Sequence, residues 1–438
     1  MIGPFPWEPF PPGEPDPKGP DPVHSIAYRA AVTAADAYHA VRLALRREAG
    51  TLRVGNRFVP DGRYREVAFL AVGNAANSMT LGALHAVGNR LTQGFLAGPE
   101  PIDPELPFRG VEIPPGWPGT PEAAPLVRAA EEIAADLTEQ DLFLVLLSPG
   151  ALRALAEPPV GMAPEEFAAL LETAHTRGAT GREVGGLVRV LGTGAVGGRL
   201  AAAVPRADVA TLIVERGDGP TVLGGGPMHP VEPGERAEAR AVLARVGLSD
   251  AIPVASRAFL APETGRTGTA PAQRPVVVAS PADALRAAAD AVFDKGWTVR
   301  LAFLELRDDP ATAAGRLLDA SETLLQAEPL TPESRTKGLA AFAMTTLGLP
   351  EGVDEGPGLG AFLSRARELG RRREMSVGLF RTAGDIGSTA FPPGAVVGSP
   401  TDPEARALAG RARALRMRRG VTDVGCLGVV LYPRPEAT

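Results

Sequence analysis

The sequence predicts an α/β protein of two domains, with mostly parallel sheets covered by helices, and three observations carry that expectation. Short apolar runs recur along the chain, and each leads into a segment with helical spacing of its apolar residues. At 438 residues the chain exceeds what one hydrophobic core usually holds. Hydrophobic residues make up 45% of it, enough for two cores, yet no apolar stretch reaches the ~18 residues that a membrane span needs.

Taken in order, residues 1–22 are rich in proline, which forbids a helix, and carry neither a basic start nor a continuous apolar run. They read as an extended arm rather than a secretion signal. Ser25 to Glu48 is Ala-rich with helical spacing and reads as one long amphipathic helix. VAFLAVG (67–73) reads as a strand leading into an Ala-rich helix, and DLFLVLLS (141–148) as a strand leading into ALRALA. VATLIVE (209–215) reads as a strand ending at a Gly-rich loop. PVVVAS (275–280) and TVRLAFLEL (298–306) each precede a helix, and SVGLFR, GAVVG and GCLGVVLYP repeat the pattern near the end. Such alternation places ligands at the carboxyl ends of the strands. The domains expected are 23–325 and 326–438, with a cleft between them.

Composition narrows the function. The net charge is −6, so no global field recruits nucleic acid, and the basic run of Arg365, Arg367, Arg371, Arg372 and Arg373 reads as a solvated helix face. One cysteine, Cys426, excludes an internal disulfide and a cysteine-rich metal site, which suits a reducing compartment, the cytoplasm by default. Lysine is confined to Lys18, Lys295 and Lys337.

Six segments in order carry a family resemblance: VGNAANSM (72–79), DLFLVLLSPGALRAL (141–155), REVGGLVRVLGTGAVGGRLA (182–201), VERGDGPTVLGGGP (214–227), RTAGDIGSTAFPPGAVVG (381–398) and VTDVGCLGVVL (421–431). The chain resembles the glycerate 2-kinases of the MOFRL type, a group also known as hydroxypyruvate reductases, from about residue 25 to 432. The resemblance implies a Rossmann-like N-terminal domain and a MOFRL-like C-terminal domain, and an ATP- and Mg-dependent transfer of phosphate to D-glycerate.

The phosphate-handling residues do not follow. Phosphoryl transfer depends on positioned positive charge and metal, and the family's two loop lysines fall on Asn74 and Val196. Its acidic T-D-G-x-D-G loop reads Gly384 and Gly387, with Asp385 one place out of step. In its Gly-rich serine loop Ser148 and Gly150 remain, but Pro149 removes a backbone donor and Leu152 replaces the second serine. Small and apolar family positions such as Gly73, Ala75, Met79, Gly197, Gly198 and Pro227 are kept, which folding alone requires.

Ser148, Arg189, Arg199, Asp218 and His229 are the remaining ligand-binding candidates. Each has a plainer reading beside it. VLGGGP (222–227) could cradle an anion or simply turn, His229 could serve as acid or base or sit exposed, and the two arginines and Asp218 could form a structural ion pair. No metal site, Walker-type lysine loop or G-x-S-x-G elbow is present, and no intact G-x-G-x-x-G dinucleotide loop follows a strand. The expectation is a non-kinase structural or regulatory partner that forms a homodimer or a heteromer with a related subunit or another protein. It needs no cofactor and binds neither nucleic acid nor membrane. The alternatives are an enzyme with new chemistry in the old cleft and, last, an active kinase using ATP and Mg.

Overall fold

A computed structural model describes residues 23–113, 123–204, 207–216, 225–261, 275–301, 310–327, 336–345, 365, 376–381, 395–398 and 426–433. The chain divides into two compact units, one formed by 37–278 with 350–353 and the other by 1–36, 279–349 and 354–438.

The first unit is built on a six-stranded sheet of β4 (Val67–Val72), β5 (Leu91–Gly98), β6 (Arg109–Glu112), β7 (Leu142–Leu147), β10 (Asp208–Val214) and β11 (Val276–Ala279). Two short elements, β8 (Ala156–Glu157) and β9 (Thr193–Gly194), pair beside it, and β1 (Arg47–Glu48), β2 (Thr51–Val54) and β3 (Arg57–Pro60) form a small antiparallel sheet. The large sheet runs β11-β10-β7-β4-β5-β6, and every pairing from β10 to β6 is parallel. Numbered in chain order this is 3-2-1-4-5-6, the order of doubly wound nucleotide-binding sheets, with its switch point between β4 and β7. Every residue of β4 and β7 is buried, which explains why both read as unbroken apolar runs. Phe143, Val145 and Leu147 share a core with Leu126, Phe167, Leu171, Leu187 and Leu243 from the covering helices.

The second unit holds a five-stranded sheet in the order β12-β13-β16-β14-β15. Its strands are β12 (Thr298–Leu301), β13 (Gly338–Thr345), β14 (Ser376–Arg381), β15 (Ala395–Gly398) and β16 (Cys426–Pro433). Only β12 and β13 pair in parallel; β16 runs antiparallel to both β13 and β14. This sheet is therefore mixed, unlike its partner in the other unit. The helix Pro281–Phe293, started by Pro281 and capped by the Ser280 hydroxyl accepting the Asp283 N–H, packs on α1 (Val23–Ala34).

One expectation needs correction. The long helix expected from Ser25 to Glu48 is two, α1 and α2 (Ala37–Ala44), followed by strand β1. The break falls at Asp36, a residue type favoured at helix starts, and the halves belong to different units. The compact units divide near residue 279, ahead of β12, which pairs in the second sheet, whereas the expected boundary lay at 325.

Candidate functional site

The switch point lies where β4 and β7 end, and it brings Asn74 and Ser148 together. Gly73 takes φ 113°, where a side chain is strained, and a methyl group there would overlap the carbonyl and hydroxyl of Ser148. That close approach lets the two loops bond to each other. The Asn74 N–H donates to the Pro149 carbonyl at 2.7 Å, and the Ala75 N–H donates to the Ser148 hydroxyl at 2.9 Å. The hydroxyl in turn donates to the Val72 carbonyl at 3.3 Å, and Ser148 is fully buried. So the N–H groups of Asn74 and Ala75, just ahead of α3 (Ala76–Val87), are taken up inside the fold.

Val196, at the second position where the resembling family has lysine, is fully buried in the apolar core. Leu152, in α5 (Ala151–Leu155), packs so closely on Gly226 that a methyl group there would overlap it. The serine-loop position has become a packing contact.

Arg199 opens α8 (Arg199–Ala203) and serves the backbone, since its Nη1 donates to the carbonyls of Gly192 at 2.9 Å and Val196 at 3.4 Å. Its guanidinium lies over Phe259 at 5.7 Å, and burial together with nearby Arg236 lowers its pKa. Arg189 differs. It lies in α7 (Gly181–Leu191), a helix started by a capping box between Thr180 and Glu183. Only 2% of the Arg189 side chain is exposed, and its Nη2 pairs with Glu235 Oε2 at 2.9 Å. Its Nε and Nη1 are buried with no hydrogen-bond partner.

His229 follows the short helix Gly225–Met228, and its Nε2 is likewise buried without a partner. Burial, then the charge of Arg189, hold its pKa below the ordinary histidine value against the pull of Glu232 and Glu235. The neutral imidazole is the form the fold prefers. Asp218, Gly384 and Gly387 lie outside the described residues, as do Asp385 and the arm 1–22. Among the described residues no three metal-ligating side chains are grouped.

Three buried arginines escaped the sequence reading. Arg153 in α5, Arg216 just after β10 and Arg236 in the helix Pro233–Arg245 are all under a tenth exposed. A signal was present for the first, a lone charge inside the apolar run ALRALA.

Comparison with known proteins fits this architecture. Residues 24–261 match the model of a domain of unknown function, DUF4147. A bovine glycerate kinase is 28% identical over 240 residues, half of this chain and 44% of that protein, so the chain spans less than half the length of this relative. Two solved structures share the fold, each at TM-score 0.66. A Pyrococcus horikoshii protein is 18% identical over 95% of this chain and all of its own, and a Thermotoga maritima glycerate kinase is 20% identical over 93% and 98%.

Proposed function

The chain belongs to the DUF4147 family, and from that premise we propose that it is a glycerate kinase-like protein that does not transfer phosphate and acts as a structural or regulatory partner. One observation carries this reading: the two positions where the resembling family places lysine hold a neutral amide, Asn74, and a core residue, Val196. A triphosphate at the switch point would find its oxygens uncompensated, because a buried anion needs a paired charge or donors, and the N–H groups of Asn74 and Ala75 are already bonded. The residues present therefore do not fit Mg-ATP, and no catalytic step is derived through it.

The retained apolar framework suits assembly, as a homodimer or with a related subunit. The test pairs two measurements on the full chain. Incubation with Mg-ATP and D-glycerate should give no turnover above a boiled control, and co-purification from the native host should recover a stoichiometric partner or the dimer. Turnover reproduced in a separately expressed preparation would overturn the reading, as would a monomer by light scattering with no partner recovered. A second reading, an enzyme of different chemistry, is favoured by the pair of a neutral His229 and a buried Arg189.

A further inference from the structure

Buried cations are unevenly distributed in the first unit. Among its described residues Arg153, Arg189, Arg216 and Arg236 are each under a tenth exposed, whereas the only carboxylate as deeply buried is Asp141, at the amino end of β7. Burying a guanidinium costs several kcal/mol unless opposite charge or acceptors meet it. Arg236 meets the Phe259 carbonyl. Arg189 has one carboxylate, Glu235, and shares it, because the same Oε2 accepts the Glu232 N–H at 2.8 Å to close the capping box of Pro233–Arg245. That leaves the Nε and Nη1 hydrogens of Arg189 without acceptors; a methyl group on Gly197 would meet the Arg189 carbonyl and one on Gly198 the His229 carbonyl carbon, so both residues border one turn.

We propose that Arg189 and His229 form a receptor for one small oxyanion, a carboxylate or a phosphate, beside the turn at Gly197 and Gly198. Arg189 supplies charge and two N–H donors, and His229 supplies Nε2–H in the neutral tautomer. The surroundings are close-packed. A methyl group on Gly198 would lie 2.5 Å from the Pro230 nitrogen, one on Gly197 would lie 3.1 Å from the Arg189 carbonyl, and Leu152 covers Gly226. The inference goes beyond the proposed function and uses no phosphoryl transfer, so each can fail without the other.

The test is thermal melting and calorimetric titration of the full chain with inorganic phosphate and, separately, with acetate, each against chloride at equal ionic strength. Either oxyanion should raise the melting temperature above chloride, and which one does so identifies the source. Arg189→Gln should weaken that binding about tenfold or more. Glu235→Gln should strengthen it several-fold, because glutamine still serves the capping box while the competing carboxylate is gone. A purely structural arginine would not respond in that direction. The idea is overturned if neither anion exceeds chloride, if Arg189→Gln responds as the native chain does, or if Glu235→Gln binds more weakly. Should Arg189→Gln fail to fold, the sign of the Glu235→Gln effect decides alone.

Discussion

At the amino ends of β7 and β10 the carboxylates of Asp141 and Asp208 sit among donors, whereas at the carboxyl ends of the same sheet Arg189 and His229 are left with buried nitrogens that bond to nothing. Asp141 Oδ2 accepts from the Thr138 hydroxyl at 2.6 Å, the Thr138 N–H at 3.0 Å and Arg65 at 3.3 Å. Asp208 accepts from the Tyr64 hydroxyl at 2.8 Å, with Arg57 and Arg63 each at 3.7 Å. The amino end is not fully satisfied either, because Asp141 Oδ1 and the Arg57 Nε and Nη2 have no partner. But Asp141 carries three bonds on its other oxygen, and the Arg57 side chain is 36% exposed, so water screens it. Arg189 has one bond, to a carboxylate that Glu232 shares, and almost no exposure to water. The difference teaches that one end uses charge to hold strands together, while the other leaves charge unmatched, as the proposed oxyanion receptor would require.

The largest effect is expected from placing at position 196 the lysine that the resembling family carries. Val196→Lys would bury an ammonium where no carboxylate is buried nearby, at a cost on the order of 3 kcal/mol or more in chemical denaturation. A loss under 1 kcal/mol would mean that the side chain reaches water or a counter-charge, and would reopen the position as a ligand site.

Next comes the amino end. Asp141→Ala should cost roughly 2–3 kcal/mol, since it strands Arg65 and the Thr138 donors. Burial raises the Asp141 pKa, but the Thr138 bonds and Arg65 outweigh it and leave the carboxyl below its usual range. Its contribution is therefore full above the unfolded value near pH 4 and is lost as pH falls through the folded value. Denaturation midpoints of native and variant chains should converge on the acid side. Phosphate binding should be unchanged in the variant, which separates the two ends.

A smaller effect is expected at the switch point. Ser148→Ala leaves the Ala75 N–H without its acceptor inside the fold, at about 1–2 kcal/mol. A stabilised Ser148→Ala protein would show that this hydroxyl is held for a ligand rather than for the fold.

The legible parts of the molecule are those where one physical term dominates. β4 and β7 are covered on both faces, so continuous apolar runs identify them. By contrast β5 reads LTQGFLAG, with Thr92, Gln93 and Gly94 diluting the pattern, and went unrecognised. β13 reads GLAAFAMT, whose alanines favour a helix; pairing with β12 on one side and β16 on the other decides for strand. At the site, the sequence showed that Asn74 and Val196 lack charge. It could not show that Arg189 meets Glu235, 46 residues away, nor that Ser148 is consumed by Ala75. Those facts depend on which loops the sheet order makes neighbours.

The smallest expected effect, and the most direct probe of the carboxyl end, is the pH dependence contributed by His229. Its pKa in the fold lies below the ordinary value near 6.5, chiefly through burial and then through Arg189, with Glu232 and Glu235 opposing. The unfolded chain therefore binds more protons than the folded one between the folded value and about 6.5, so stability falls as pH drops through that window and levels off above it. His24, fully buried in the other unit and lowered to about 3, has the same sign, so the informative quantity is the difference between the native chain and His229→Asn. Removing the imidazole should flatten the stability curve below about pH 6.5 while leaving the His24 contribution in place. A bound oxyanion favours imidazolium, so phosphate should flatten the native curve in the same window and leave that of His229→Asn unmoved. If phosphate instead shifts both curves alike, the anion is acting on the surface as a general salt, and the carboxyl end is no different in kind from the amino end.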